Sequence, residues 1–254
     1  MKHTASMGVV LISLALAHTP AGAQTSTAQM RFEGRATSPS DGELLYRERH
    51  RILGQCVDGQ WRPEAHRVDY MEPGSSEPFA EKQLGFPGRL FQPRVDFRQP
   101  SYDERVQVTA TEDTLDVRWH NGAGDTRQWS LDIQDSLVVD AGFDHFIRHH
   151  WPDLTGGEAV EFRFLAPTRG EAYGFIAEPA PEPLPGADHS FQIRPTGLLM
   201  QMLVDPIRLG YRNDGFLTHY VGLGNIRRNQ DENYDVAIAY QLQSPPPCPL
   251  LSSP

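Results

Sequence analysis

The sequence predicts a mainly β protein, folded as a strongly curved antiparallel meander or incomplete barrel of about a dozen strands. From Gly42 onward, apolar and polar residues alternate in short runs, which is typical of strands with one buried face. Turn signals such as Asp58-Gly59 and Asn121-Gly122 separate these runs, because their residues tolerate positive φ. Strands and helices do not alternate regularly, which disfavours a doubly wound fold.

Each predicted strand is recognised by side chains at alternate positions, which point to the same face of a sheet. The predicted sets, in chain order, are Leu44, Tyr46, His50, Ile52; Val106, Val108, Ala110; Leu115, Val117, Trp119; Trp129, Leu131, Ile133; Val160, Phe162, Phe164; Tyr173, Phe175; Phe191, Ile193; Ile207, Leu209, Tyr211; Phe216, Tyr220; and Tyr234, Val236, Ile238, Tyr240.

One short helix is predicted near residues 141–151. Asp140 is a suitable N-cap, and Pro152 is expected to end the helix. Phe143, Ile147 and Trp151 follow each other at intervals of four residues, so they form one apolar stripe. We expect this stripe to lie on an open edge or mouth of the sheet.

The N-terminal residues 1–23 have the pattern of a secretory signal peptide. An apolar run from Met7 to Ala17 is followed by small residues, which predicts cleavage near Ala23 and a periplasmic or secreted protein. The run is too short to span a bilayer, and no second run of sufficient length follows, so no transmembrane helix is predicted.

The remainder divides by composition into three parts. Residues 24–41 lack a clear alternation and are predicted to be a flexible N-terminal segment. Residues 42–243 are predicted to form a single β-rich domain. Residues 244–254 are predicted to be a loosely held, Pro-rich tail.

Charge and cysteine content restrict the function further. The 254 residues carry a formal charge of −10, so no nucleic-acid partner is expected. The two cysteines, Cys56 and Cys248, enter an oxidising compartment if the protein is exported, where a disulfide can persist. The proline-rich surroundings of Cys248 equally suit an unpaired, mobile tail.

Five segments resemble landmarks of an uncharacterised family of exported, β-rich bacterial proteins. They are residues 42–48 (GELLYRE), 139–144 (VDAGFD), 161–167 (EFRFLAP), 222–227 (GLGNIR) and 233–234 (NY). This resemblance implies an exported β-rich domain and assigns no activity or site. In broad architecture the chain is also similar to periplasmic carriers of lipid-modified proteins, a likeness of fold alone.

Two histidines on the predicted helix are weak candidates for metal ligands. His145 and His149 are four residues apart and share a helix face, as zinc ligands often do. No third ligand is identifiable, and the helical wheel places both opposite the apolar stripe. We therefore predict surface histidines, no metal and no cofactor.

Alternate arginines on the first predicted strand form a possible anion site. Arg47, Arg49 and Arg51 project from one face of the sheet, where they could bind an anionic headgroup or pair with acidic side chains on neighbouring strands. The apolar residues predicted to line an adjoining groove are Phe162, Phe164, Tyr173, Met200 and Met202.

The function that these features favour is an exported envelope binding or accessory protein, with an apolar or acyl ligand in a β-sheet groove. An envelope protein is the alternative partner, which would make the chain an interaction or assembly factor without a pocket. Further alternatives are an outer-membrane barrel and a hydrolase with a dispersed site. No catalytic motif occurs in the sequence, so enzymatic activity is not predicted.

Overall fold

Among the residues that the structure describes, a single open sheet of fifteen strands is accompanied by two short α-helices, so the predicted mainly β class is confirmed. The structure, a computed structural model, describes residues 27–122, 124–197 and 205–252. The strands are β1 (Ala28–Thr37), β2 (Leu44–Val57), β3 (Gln60–Met71), β4 (Pro78–Gly85), β5 (Arg94–Gln99), β6 (Glu104–Ala110), β7 (Thr114–His120), β8 (Thr126–Asp132), β9 (Leu137–Val138), β10 (Val160–Ala166), β11 (Glu171–Pro179), β12 (His189–Pro195), β13 (Ile207–Tyr211), β14 (Leu217–Arg227) and β15 (Asn233–Ser244).

The sheet is two meanders joined through the first and last of these strands. Its spatial order is β8-β7-β6-β5-β4-β3-β2-β1-β15-β14-β13-β12-β11-β10-β9. Every neighbouring pair is antiparallel except β9 and β10, which are parallel. Between β8 and β9 the chain passes from one edge of the sheet to the other. Both helices lie in the connection between β9 and β10.

The prediction that residues 24–41 are flexible is wrong for β1, which lies in the centre of the sheet. β1 alternates like the other strands: Met30, Gly34 and Ala36 are buried, while Arg31 and Arg35 are exposed. The small inward residues make this alternation hard to recognise in the sequence. At Gly34 the space is needed, since a Cβ there would lie 2.8 Å from the Tyr240 ring.

The predicted helix is present as two helices, α1 (Gly142–His149) and α2 (Trp151–Thr155). Pro152 lies at the start of α2 instead of ending the segment, because the first turn of a helix does not use the missing N–H. The buried positions of α1 include Phe146 and Ile147, whereas Phe143 is only partly buried. The apolar face is therefore rotated relative to the predicted stripe.

Residues 245–252, expected to be a loose tail, are attached to the β2–β3 hairpin. Cys248 forms a disulfide with Cys56, and the Pro249 carbonyl accepts a hydrogen bond from the Trp61 N–H at 2.8 Å. Leu250 is buried with Met30, Trp61 and Phe216 in a small apolar cluster. Covalent attachment and apolar burial thus hold a segment whose prolines exclude it from a central strand.

No helix in the described residues is long and apolar enough to cross a membrane.

Candidate functional site

Several polar side chains occupy inward-facing positions of the sheet, where apolar residues are expected. Glu48 and His50 on β2, His66 on β3 and Lys82 on β4 are all buried. Buried polar and charged groups are costly unless they are paired. These residues therefore mark a place where the core departs from simple packing.

Three of them form a continuous hydrogen-bonded chain. His50 Nε2 lies 2.9 Å from Glu48 Oε2, and His50 Nδ1 lies 2.9 Å from His66 Nε2. The Tyr240 hydroxyl also donates to Glu48 Oε2, at 3.1 Å. Phe32 stacks on the His50 ring with centroids 4.1 Å apart, which fixes the ring plane.

The hydrogen-bonded chain leaves one nitrogen of His66 without a partner among the described residues. Burial, and then the neighbouring His50, holds the pKa of His66 well below its usual range, so His66 is neutral at pH 7. Which ring nitrogens donate depends on the tautomers of the two histidines; between His50 Nδ1 and His66 Nε2, one nitrogen donates and the other accepts. The other nitrogen of His66, Nδ1, has no hydrogen-bond partner among the described residues.

Helix α1 brings a second polar group to the same region. Arg148 forms an ion pair with Asp144 one turn earlier, and the Tyr211 hydroxyl donates to Asp144 Oδ1 at 3.1 Å. Burial lowers the pKa of Arg148 to about 10, so it remains charged at pH 7. Burial, followed by the charge of Arg62, lowers the pKa of His145 to about 4, so this imidazole is neutral.

An ion pair between a buried lysine and a partly buried aspartate fixes the start of this helix. Lys82 Nζ on β4 donates to Asp140 Oδ1 at 2.8 Å and to Asp140 Oδ2 at 3.1 Å. The same Oδ1 accepts from the Ala141 N–H. The N–H of Val139 donates to the Phe91 carbonyl, which ties the segment before α1 to the loop between β4 and β5.

An interior cavity of about 50 Å³ lies between α1 and strands β1–β3. Its polar wall consists of His66, Asp144, His145 and Arg148. The other lining residues are apolar: Met30, Phe32, Ile52, Trp61, Pro63, Ala141, Phe216, Leu217 and Leu250. The interior cavity is the candidate site, because apolar walls with a few convergent polar groups are typical of ligand sites.

A larger concavity of about 680 Å³ lies elsewhere, over strands β6–β8. Its lining includes exposed Asp116, Arg118 and Gln128, and no ring of buried polar groups surrounds it. This open surface lacks the enclosed, desolvated groups of the interior cavity, so we do not treat it as the site.

Comparison with known proteins identifies no family and gives a weak structural likeness. No protein-family model matches the sequence, and no curated protein matches it. A solved structure of a β-barrel-like protein from Brucella abortus, which contains a domain of unknown function, is similar over 85% of this chain and 95% of that chain. The two share 7% sequence identity, and the TM-score is 0.41. At this level the similarity says nothing about ligand or activity.

Arg47, Arg49 and Arg51, here named the arginine ladder, lie on the opposite face of β2 from the interior cavity. Arg47 and Arg49 are exposed and Arg51 is half-buried, while the neighbouring Tyr46, Glu48 and His50 point inward. The expectation that the ladder flanks an apolar groove is therefore wrong. Since successive residues of a strand point to opposite faces, one small ligand cannot contact both the arginines and the interior cavity.

The predicted aromatic residues of the groove lie on the inner face of β10 and β11, away from the interior cavity. Phe162 is buried against Phe146 of α1, with ring centroids 4.8 Å apart. Phe164 and Tyr173 are cross-strand neighbours that are only partly buried. Helix packing thus covers this part of the sheet. Met200 and Met202 lie outside the described residues.

The two candidate metal ligands differ in environment. His145 lines the interior cavity and packs against Phe86, with ring centroids 5.1 Å apart, so its prediction as a surface histidine is wrong. His149 is exposed. Among the described residues no group of three or more His, Cys, Asp or Glu side chains is arranged to hold a metal ion.

Sequence reasoning missed Glu48, His50 and His66 as a unit. A usable signal was present, since Glu48 and His50 share the inward face of β2 with Tyr46 and Ile52. A carboxylate and an imidazole at alternate positions of an otherwise apolar face need buried partners. The partner His66 lies on the next strand, at a position that depends on the register between β2 and β3.

The site offers hydrogen bonding and base chemistry. A carboxylate–imidazole chain orients and activates a general base. The residues that line the interior cavity include no Ser, Thr or Cys, so the described lining supplies no hydroxyl or thiol nucleophile.

Proposed function

We propose that the protein is a binding protein whose interior cavity takes the polar end of a compact apolar or short acyl ligand. The observation that carries this proposal is the mixed lining of the cavity: buried His66 and partly buried His145 and Arg148 line it together with aromatic side chains such as Trp61 and Phe216. A ligand with one hydrogen-bonding end and one apolar end satisfies both kinds of side chain.

Cavity size limits the ligand. A volume of about 50 Å³ holds a few water molecules and is well below the roughly 300–1,000 Å³ of pockets that enclose drug-sized ligands. A long acyl chain would have to displace Leu250, which is fixed through the nearby disulfide. Short chains are therefore the better fit.

Calorimetric titration with straight-chain fatty acids of about two to about sixteen carbons tests the proposal. We expect saturable binding that strengthens with each added methylene over the shortest acids and is lost for the longest. His145→Leu should weaken binding by roughly tenfold, since it removes one hydrogen-bonding group of the polar lining. His149→Leu, on the same helix but exposed, is the matched control and should leave affinity unchanged.

Absence of saturable binding across the whole series would contradict the binding function. The protein would then be better described as an interaction or assembly factor without a small-molecule pocket.

The Glu48–His50–His66 chain favours a second candidate function, hydrolysis with His66 as a general base for water. Hydrolysis of a short-chain nitrophenyl ester, measured for the native protein and for His66→Gln, distinguishes the two. Turnover that His66→Gln abolishes supports a hydrolase, whereas equal background rates leave binding as the function.

A further inference from the structure

A group of arginines lies on the outer face of the sheet, away from the interior cavity. Arg31 and Arg35 on β1 and Arg47, Arg49 and Arg51 on β2 form this group, here named the arginine patch. In the register of the two strands, Arg31 is directly opposite Arg51, and Arg35 is directly opposite Arg47. Like charges in directly opposed positions destabilise a sheet, so the arrangement is costly without an anionic partner.

The protein itself compensates little of this charge. Arg51 forms an ion pair with Asp69, at 2.6 Å, and Arg49 donates to the Met71 sulfur. The other three arginines of the patch make no ion pair with any described residue. Glu33 is the carboxylate within the patch, opposite Arg49, and it is likewise unpaired among the described side chains.

Two apolar side chains adjoin the arginine patch. Leu53 continues the outward row of β2, and Val57 lies beside the β2–β3 turn; 42% and 39% of their surfaces are exposed. In the described residues, Leu223 is the one other large hydrophobic side chain that is exposed to this degree. Basic side chains next to exposed apolar ones are characteristic of proteins that bind at a bilayer interface.

The net charge of −10 does not prevent such binding. Screening at physiological ionic strength has a length of about 8 Å, so acidic groups on other faces have little effect at the arginine patch. Guanidinium groups also make bidentate hydrogen bonds to phosphate.

We propose that the arginine patch, together with Leu53, docks the protein on the surface of an anionic phospholipid bilayer. The arginines contact lipid phosphates, and Leu53 enters the headgroup boundary. This surface is independent of the interior cavity, so its test does not depend on the proposed ligand function.

Sedimentation with vesicles of phosphatidylcholine, with and without phosphatidylglycerol, tests the proposal. We expect binding that requires phosphatidylglycerol and weakens as salt is added. The triple variant Arg31→Gln, Arg35→Gln, Arg47→Gln should bind about a hundredfold more weakly at low salt, at about fivefold per arginine. These three make no ion pairs with described residues, and a circular dichroism spectrum checks that the variant is folded.

The matched control is Arg94→Gln, Arg118→Gln, Arg169→Gln, which removes the same charge from exposed positions elsewhere. It should bind nearly as well as the native protein. A second pair of variants tests the apolar contact: Leu53→Ser should weaken binding several-fold, and Leu223→Ser should not.

Equal losses in both triple variants would show that net charge alone matters and would overturn the proposal. Failure to bind anionic vesicles would also overturn it, including the case where soluble polyglutamate binds to the patch, which would indicate an acidic protein partner instead.

Discussion

His50 and His66, on neighbouring strands, share a hydrogen bond of 2.9 Å although both imidazoles are buried. One ring nitrogen must accept where the other donates, so the bond is lost if both imidazoles become cationic. Burial also holds the pKa of His66 below its usual range, as it does for His145.

We predict that stability falls as pH is lowered from about 6.5 towards 4. In the unfolded chain His145 binds a proton below about pH 6.5, whereas in the folded protein burial holds its pKa at about 4. Between these values the unfolded state binds more protons, so acid favours unfolding, by up to about 3 kcal/mol from this residue. His66 acts in the same direction.

Urea denaturation at several pH values measures this effect. His145→Gln should reduce the dependence of the unfolding free energy on pH over this range. An unfolding free energy that is the same at pH 7 and pH 4.5 in the native protein would contradict the assignment.

Lys82→Met should destabilise the protein by about 1–3 kcal/mol. The change leaves the partly buried carboxylate of Asp140 without its buried partner, and a partly desolvated charge is costly when it is unpaired. The double variant Lys82→Met, Asp140→Asn removes both charges and should recover part of the loss. Thermal unfolding of the single and double variants gives the comparison, and equal stabilities for the two would argue against a charge effect.

Loss of the disulfide should cost up to roughly 5 kcal/mol in the chain-entropy description, because the bond joins residues 192 positions apart in the sequence. Cys56→Ser with Cys248→Ser is the variant to measure, by denaturant unfolding beside the native protein under oxidising conditions. Adding a reductant should destabilise the native protein and leave the double variant unaffected. Sensitivity of the double variant to the reductant would point to another cause.

Gly142→Ala is predicted to destabilise the fold by about 1–3 kcal/mol. A Cβ at this position would lie 2.2 Å from the Phe91 carbonyl oxygen, which belongs to the backbone and cannot rotate away. Gly85→Ala is the control, because its nearest neighbour would be 3.9 Å away. Differential scanning calorimetry of both variants should show a clear fall in Tm only for the first.

Strands such as β6 and β7 were predictable because burial of one face imposes alternation on the sequence, as at Val106 and Val108 or Leu115 and Val117. β1 was missed, and its inward Gly34 and Ala36 carry little apolar surface. β3, β4 and β5 are also absent from the predicted sets, although large side chains such as those of Tyr70, Leu84 and Phe97 are buried on them. Alternation alone therefore identifies only some of the strands.

The candidate site was much less predictable. Its polar wall combines His66 with Asp144, His145 and Arg148, which are far apart in the chain and meet only once β3 and α1 are packed together. The same limit applies to the arginine ladder, since alternation shows that its members share a face and leaves open which face is turned inward. The composition of the polar wall and the orientation of the arginine ladder both depend on contacts between residues that are far apart in the sequence, and residue type alone does not reveal those contacts.

The strand order has a consequence for how the chain folds. Because β1 and β15 are neighbours, the order from β10 through β15 and on from β1 to β8 is consecutive once the ends are imagined as joined. A circular permutant that begins at β10 and places β1 directly after β15 would be a simple up-and-down meander for fourteen strands. Its mean sequence separation between contacting strands would be lower, and chains with more local contacts fold faster. In the natural order, by contrast, the central pairing of β1 with β15 can form only after β15 has been synthesised.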